Sequence, residues 1–215
     1  HDILAKEKGV PLYKYLGEDK ETIPTSITIG LMNEREAVDH ALEYVSKGFK
    51  VLKIKVGEDV DKDIQRVLAV REAVGEDIKL RADGNQGYSV DEALKFIRGC
   101  ENAELEFLEQ PVEGLKNLKK ITQEKVLPIM ADESVRGIED AHHAVEAECA
   151  DLVNLKLIKC GGIYRAAEMN SILEEGDIGT MVGCFGEASL SVAFGLHFSL
   201  SEHNVRFADL DAHFL

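Results

Sequence analysis

The sequence predicts an α/β protein, a TIM-like (β/α)7β barrel, and three observations carry the prediction. Eight short β-like runs begin at residues 25, 51, 78, 105, 127, 152, 180 and 206, so successive starts lie 22 to 28 residues apart, the mark of a repeated supersecondary unit. Amphipathic helical patterns lie between the runs, and strands alternating with helices of this length imply right-handed crossovers and a parallel sheet. No linker or low-complexity segment interrupts the repeat. A full barrel of this kind takes ~250 residues. The 215 residues here hold seven units and a last strand with almost nothing after it.

Taken in order, His1 opens the tail of an expected helix (Ile3, Leu4, Ala5) that stops at Gly9 before Pro11. The first strand is expected over Thr25–Ile29. The helix after it, Glu34–Lys47, carries Ala37, Val38, Ala41, Leu42 and Val45 at helical spacing. Val51–Val56 is the second strand, and Val60–Val74 a helix with Ile64, Val67, Leu68 and Val70 as its apolar face. Ile78–Ala82 is the third strand. Ser89–Ile97 reads as a helix with a serine N-cap and Asp91 and Glu92 in its first turn. Strands over Leu105–Leu108 and Leu127–Ala131 lead to a helix over Gly137–Ala147. The strand Leu152–Leu157, helix Ile163–Glu175, strand Thr180–Gly183, helix Ala188–Leu200 and strand Arg206–Asp209 complete the set.

Composition narrows the partners. Lys and Arg number 25 against 40 Asp and Glu, a formal charge of −15, with 45% hydrophobic and 30% charged residues. This is the balance of a globular chain able to bury a sizeable core. The acidic excess argues against nucleic acid and against anionic membrane surfaces. No apolar run approaches the ~20 residues that span a bilayer. Cys100, Cys149, Cys160 and Cys184 have no CxxC spacing, which favours reduced thiols in a cytoplasmic protein over a disulfide framework. No signal-peptide pattern is visible.

A barrel places its chemistry at the C-terminal strand ends. Strand two ends Leu52-Lys53-Ile54-Lys55-Val56, so Lys53 and Lys55 share one face. A parallel barrel strand has no solvent face, and two inward lysines are costly without a use. Asp83, Glu109 and Asp132 close strands three, four and five, 26 and 23 residues apart. One such carboxylate would read as a helix cap. Three in register converge, repel one another and need a cation, for which a hard oxygen-seeking ion such as Mg²⁺ is natural. On strand six, Asn154 and Lys156 share a face, and Lys156 falls one period after Asp132. Lys159 lies past the strand and is the weaker candidate. Asp209 and Asp211 share a face if the last strand runs on; they are either a seat for a substrate ammonium group or an ordinary acidic chain end. Asn85 and Glu187, in the loops after strands three and seven, are further candidate substrate contacts.

These groups have a chemical logic. A substrate carboxylate on the ion would hold its α-carbon between Lys55 and Lys156, which suits removal of the α-proton. That proton is a very weak acid, so the metal must stabilise the enediolate as charge develops. A lysine base must also lose its proton far below its usual ~10.4, and like charge, a nearby cation and burial all act in that direction.

KIKVG, RADGNQGY, FLEQP, MADES and NLKLIKCGG, in this order, resemble the muconate-lactonizing-enzyme subgroup of the enolase superfamily, over about Thr25 to Asp211. A lysine base with an ion-stabilised ene-diolate is that superfamily's known pattern. The resemblance implies Lys55 and Lys156 as the acid/base pair with Lys53 beside them, and Asp83, Glu109 and Asp132 as ligands of Mg²⁺, with Mn²⁺ able to substitute. It is greatest to the dipeptide epimerases, in which an Asp-x-Asp matching Asp209 and Asp211 holds the substrate α-ammonium. The implied reaction is epimerisation of a dipeptide of the L-Ala-D/L-Glu type. Muconate cycloisomerase and o-succinylbenzoate synthase are the alternatives within the subgroup; a Schiff-base aldolase and a non-catalytic barrel fragment are those outside it. The family also carries an N-terminal capping domain. Residues 1–20 are expected as a remnant of the helix and linker from that domain, residues 21–215 as the catalytic barrel, and the full-length form as a homo-oligomer.

Overall fold

The computed structural model describes residues 1–17 and 20–214. The expected boundary after residue 20 adjoins Glu18 and Asp19, which lie outside the described residues, as does Leu215. Two short helices, α1 (Asp2–Glu7) and α2 (Leu12–Leu16), precede the repeat. Then come β1 (Ile27–Ile29), α3 (Glu34–Ser46), β2 (Val51–Lys55), α4 (Val60–Val74), β3 (Lys79–Asp83), α5 (Val90–Gly99) and β4 (Leu105–Glu109). The second half runs α6 (Leu115–Thr122), β5 (Ile129–Ala131), α7 (Ile138–Ala147), β6 (Leu152–Lys156), α8 (Leu157–Cys160), α9 (Ile163–Glu175), β7 (Gly179–Gly183), α10 (Ser189–Ser201) and β8 (Val205–Asp209).

All eight strands pair in parallel in chain order. The ring closes where Thr25 bridges Ala208. There Ser26 N donates to the Ala208 carbonyl at 3.2 Å and Leu210 N to Thr25 Oγ1 at 2.8 Å. Strand alternation then sorts side chains into two cores. The outward residues, among them Ile27, Leu52, Ile54, Leu80, Leu108 and Leu155, pack under the helices. The inward Phe107, Met130, Leu152 and Met181, with Phe207 against them, fill the N-terminal half of the barrel.

Local signals explain most boundaries. Ser89 caps α5 in a full capping box with Glu92. Asn33 caps α3 and Asp59 caps α4. The helices α2 and α8 have no counterpart in the sequence reading, β1 and β5 start two residues later than expected, and two further differences have a plain cause. The strand expected to reach Leu157 stops at Lys156, because Gly161 N and Gly162 N both donate to the Leu157 carbonyl and turn the chain into α8. Helix α6 fills the fourth interval, for which the apolar pattern predicts no helix; it is short and buries Leu118, Ile121 and Thr122, with Leu115 half-buried against the core.

The loops after β2, β3 and β4 touch backbone to backbone. A Cβ on Gly57 would lie 2.3 Å from the Gly84 carbonyl, one on Gly87 2.0 Å from the Gly57 carbonyl, and one on Gly84 2.8 Å from Pro111 Cα. These glycines set how closely the ends of β2, β3 and β4 approach. Gly87→Ala is therefore expected to cost ~1–3 kcal/mol, as overpacking does, which is several degrees of Tm at this size. Gly186→Ala, whose added Cβ meets nothing within 4 Å, should stay within ~0.5 kcal/mol. Thermal unfolding of the two variants side by side checks the contrast.

Candidate active site

Above the apolar floor the barrel interior becomes ionic. Arg81 forms the transition. Its guanidinium lies 5.3 Å from the Phe107 ring centroid and 4.8 Å from that of Phe207, with Nε donating to Glu106 at 2.8 Å and Nη1 to the Ala208 carbonyl at 3.0 Å. Across the β2–β3 ladder Lys53 pairs with Arg81, and Lys55 with Asp83. On the next ladder Asp83 pairs with Glu109. Register alone therefore stacks these groups in two adjacent inward layers, Lys53 with Arg81 in one and Lys55 with Asp83 and Glu109 in the next.

Lys53 is the hub. Its Nζ lies 2.9 Å from Asp83, 2.8 Å from Glu109 and 2.8 Å from Asp209. Burial alone would lower its pKa, but the three carboxylates outweigh burial and hold it well above the ordinary lysine range. Burial works against ionised Asp83 and Asp209 as well, yet the adjoining lysines keep both below the usual carboxylate value. Glu109 goes the other way. Its carboxyl is fully buried and is pushed up to about 7, first by burial and then by the negative charge of Asp83. Asn154 Nδ2 donates to Glu109 Oε1 at 2.7 Å. Among the described residues the other oxygen, Oε2, accepts no hydrogen bond and has only the Lys53 ammonium beside it, at 2.8 Å.

Asp132 turns to the opposite wall. Lys156 Nζ lies 2.6 Å from one of its oxygens and Lys159 Nζ 2.7 Å from the other. Lys159 also donates to the Asp132 and Asn154 carbonyls, each at 2.7 Å. The weaker candidate of the sequence is thus buried in the site: the Lys159 side chain folds back from α8. Burial opposes charge on Lys156, but Asp132 and then Glu109 raise its pKa above the ordinary value. The Phe185 ring covers the Lys156 ammonium at 4.6 Å. Among the described residues no three carboxylates, imidazoles or thiols stand together as a ready metal cluster. The three expected ligands end adjacent strands as anticipated, but lysine ammonium groups sit between them as counter-charges. The donor set still fits a hard divalent ion, being all carboxylate oxygen, buried, and including the unbonded Glu109 Oε2.

Lys55 donates to Asp83 at 2.7 Å and to Asn85 Oδ1 at 2.6 Å, and Asn85 Nδ2 donates to Glu133 at 3.0 Å. Asn85, expected as a substrate contact, here orients Lys55; its positive φ of 39° is followed by 66° at Gln86. Asp209 and Asp211 both face the mouth. Ser26 Oγ donates to Asp209 at 2.6 Å, and Thr28 N to Asp211 at 2.8 Å. Burial and then Asp209 raise the Asp211 pKa. Its other oxygen faces the weak Cys184 thiol, at 3.8 Å. Glu187, also expected at the substrate, accepts from Phe185 N at 2.8 Å and so closes its own loop. It is absent from the lining of the mouth cavity, a space of about 630 Å³ bounded by Lys55, Asp132, Lys156, Phe185, Asp209 and Asp211 among others. Ser26 and Thr28 were not singled out in sequence. The alternation of hydroxyls in Thr25-Ser26-Ile27-Thr28 was the available signal.

Lysines and carboxylates thus crowd together at the C-terminal strand ends of a closed parallel barrel, the end at which barrels of this architecture carry their sites. The chain belongs to the enolase C-terminal domain-like family, which matches residues 36–214. It is 40% identical over 217 residues to the hydrophobic dipeptide epimerase of Enterococcus faecalis, an alignment taking in 100% of this chain and 61% of that protein. It is also 40% identical over 217 residues to the L-Ala-D/L-Glu epimerase of Bacillus subtilis, taking in 99% of this chain and 59% of that protein. The crystal structure of the E. faecalis enzyme with Mg and the dipeptide L-Leu-L-Tyr superposes with a TM-score of 0.97 at 40% identity, over 99% of this chain and 61% of that one. A substrate-liganded complex of the B. subtilis enzyme gives 0.95 at 39% identity, over 98% and 60%. The chain thus spans about 60% of the length of these relatives.

Lys53→Met is expected to leave Glu109 and Asp209 without a cation and Asp83 with Lys55 alone. Removing one partner of a buried pair costs ~3–5 kcal/mol. The loss should be greatest at pH 8 and should shrink on acidification, because Glu109, with its raised pKa, is the first of the three to become neutral and need no counter-charge. Denaturant unfolding at several pH values measures it.

Proposed function

We propose that the protein of which this chain is the barrel is a Mg²⁺-dependent dipeptide epimerase, acting by proton transfer at the carbon α to the substrate carboxylate. The observation that carries the reading is the placement of Lys55 and Lys156 on β2 and β6, four strands apart in a ring of eight, on opposite walls of one cavity that Asp209 and Asp211 also line. Two amines facing opposite sides of one carbon can remove a proton from one face and return one to the other. The dipeptide ammonium would give Asp211 a charged donor, which neither the Thr28 amide nor the Cys184 thiol is. In the arrangement seen here, Asp132 keeps Lys156 protonated, the form it needs as the acid of one direction.

Asp83, Glu109 and Asp132 would hold the ion, with Mn²⁺ able to replace Mg²⁺. Bound there, it would stabilise the negative charge that develops on the substrate carboxylate. The acidic surface supports a small-molecule substrate with no nucleic-acid partner. The four free thiols support a cytoplasmic setting, and among the described residues no helix is long and apolar enough to cross a membrane. The full-length protein is read as a homo-oligomer.

Incubation of the full-length protein with L-Ala-L-Glu and with apolar dipeptides in deuterated water under Mg²⁺ tests the activity. Incorporation of α-deuterium is expected, and a complete lack of exchange with any dipeptide would sink the reading. Lys156→Ala should abolish exchange at one stereoisomer while leaving exchange at the other within ~10-fold; equal residual exchange at both contradicts the two-base scheme. Glu109, pushed up to about 7, must give up a proton when it becomes a ligand. Apparent Mg²⁺ affinity should therefore rise with pH up to about 7 and level off above it. Calorimetry in two buffers of different ionisation enthalpy would reveal the released proton.

A further inference from the structure

One set of buried ionisable groups takes no direct part in this chemistry. Asp63, on α4, is 1% exposed, and Arg66 and Tyr88 are 6% and 5% exposed. Asp63 Oδ2 accepts from Gly57 N at 2.9 Å, from Glu58 N at 3.2 Å and from the Tyr88 hydroxyl at 2.5 Å. Its Oδ1 accepts from Arg66 Nη2 at 2.5 Å. Arg66 Nη2 also donates to the carbonyl of Lys55 itself at 2.8 Å, and Nη1 to the Met32 carbonyl at 3.1 Å. Burial and the Asp63 carboxylate both raise the Tyr88 pKa, so its hydroxyl stays a donor.

A surface N-cap would not need this. Asp59 already caps α4, and four donors on one buried carboxylate are more than a helix start requires. The four bonds reach the loop after β2 and, through Tyr88, the loop after β3. Tyr88 N in turn donates to the Pro111 carbonyl after β4, at 2.9 Å. The same three loops are those in glycine contact at Gly57, Gly84 and Gly87. Among the described residues, none of the hydrogen bonds of Asp63, Arg66 or Tyr88 reaches β6 or Lys156. The clamp is one-sided.

We propose that Asp63, with Arg66 and Tyr88, is a positioning residue for the proposed reaction, fixing the backbone of Lys55 and its loop so that this lysine alone is aimed at the substrate α-carbon. The inference rests on the epimerase reading. It makes a prediction that a merely structural role does not, because loss of general stability weakens both proton transfers together. Misplacement of a reacting group by ~1 Å costs as much as ~10²-fold.

The test uses the full-length protein with Mg²⁺, a dipeptide in each α-configuration and deuterated solvent. In Asp63→Ala, exchange at the stereoisomer served by Lys55, identified as the one lost in Lys55→Ala, should fall at least ~10-fold, and exchange at the other by less than ~3-fold. Tyr88→Phe removes one hydroxyl without opening a cavity and keeps the test usable if Asp63→Ala does not fold. It should shift exchange in the same direction by a smaller factor. Equal falls at both stereoisomers, or no change in either variant, overturn the proposal. Backbone amide exchange is read in parallel. Protection of segments 55–58 and 84–88 should drop in the variants while that of 152–160 holds, and unchanged protection of 55–58 also overturns it. If the unsubstituted protein exchanges neither stereoisomer, the epimerase reading fails, and the amide protection still decides whether the clamp holds Lys55.

Discussion

The site depends on a charge balance struck inside the barrel. Asp83, Glu109, Asp132, Asp209 and Asp211 are all buried, and an isolated buried charge costs several kcal/mol after relaxation. Lys53, Lys156 and Lys159 are what make this tolerable, the first joined to three carboxylates and the other two to Asp132. No surface geometry would achieve this, because exposed pairs are worth little. It needs walls that exclude water and a floor that is dry. The Phe107, Met130, Leu152 and Met181 layer supplies the floor.

Strand register is therefore as chemical as it is architectural. A slip of one residue would turn every inward group out into the helix layer. The ladders that pair Lys55 with Asp83, Asp83 with Glu109, and Gly183 with both Lys156 and Asp209 set the level of the whole site. Gly183 shows the constraint at its tightest. A Cβ there would fall 2.5 Å from Asn154 Oδ1, displacing the side chain that anchors Glu109. The missing side chain on β7 gives Asn154 its room beside the carboxylates.

This division explains what could be read from the sequence. The inward direction of Lys53, Lys55, Asp83, Glu109, Asp132 and Lys156 follows from a two-residue alternation inside a repeat of near-constant length, both of which are local properties of the chain. Which charge meets which is not local. Lys53 finds Asp209, 156 residues away, because β8 closes against β1, and no spacing encodes a distance measured across the ring. Lys159 reads as the weaker candidate in sequence for a related reason: a one-turn helix reverses its side chain toward Asp132. Ser26 and Thr28 are not legible in sequence because hydroxyl and amide donors carry no charge signature, although they hold in place Asp209, the last residue of β8, and Asp211 just beyond it. Glu187 looked like a mouth residue because its loop is at the mouth, but a nearer backbone donor took its carboxylate.

The two lysines of the proposed reaction are held by different means. Lys156 is 9% exposed in its side chain, covered by Phe185 and tied to Asp132. Lys55 is 29% exposed in its side chain and takes its aim from Asn85 in front and the Arg66–Asp63 clamp behind. For a reversible epimerisation the ratio of kcat/KM in the two directions is set by the equilibrium constant, so unequal lysines cannot favour one direction over the other. Their difference has to appear in how readily each trades its proton with water. The more open Lys55 can renew its proton between turnovers, while the shielded Lys156 can hand back the proton it took. An active site can in this way be lopsided in its protein scaffold and still be even-handed in its thermodynamics.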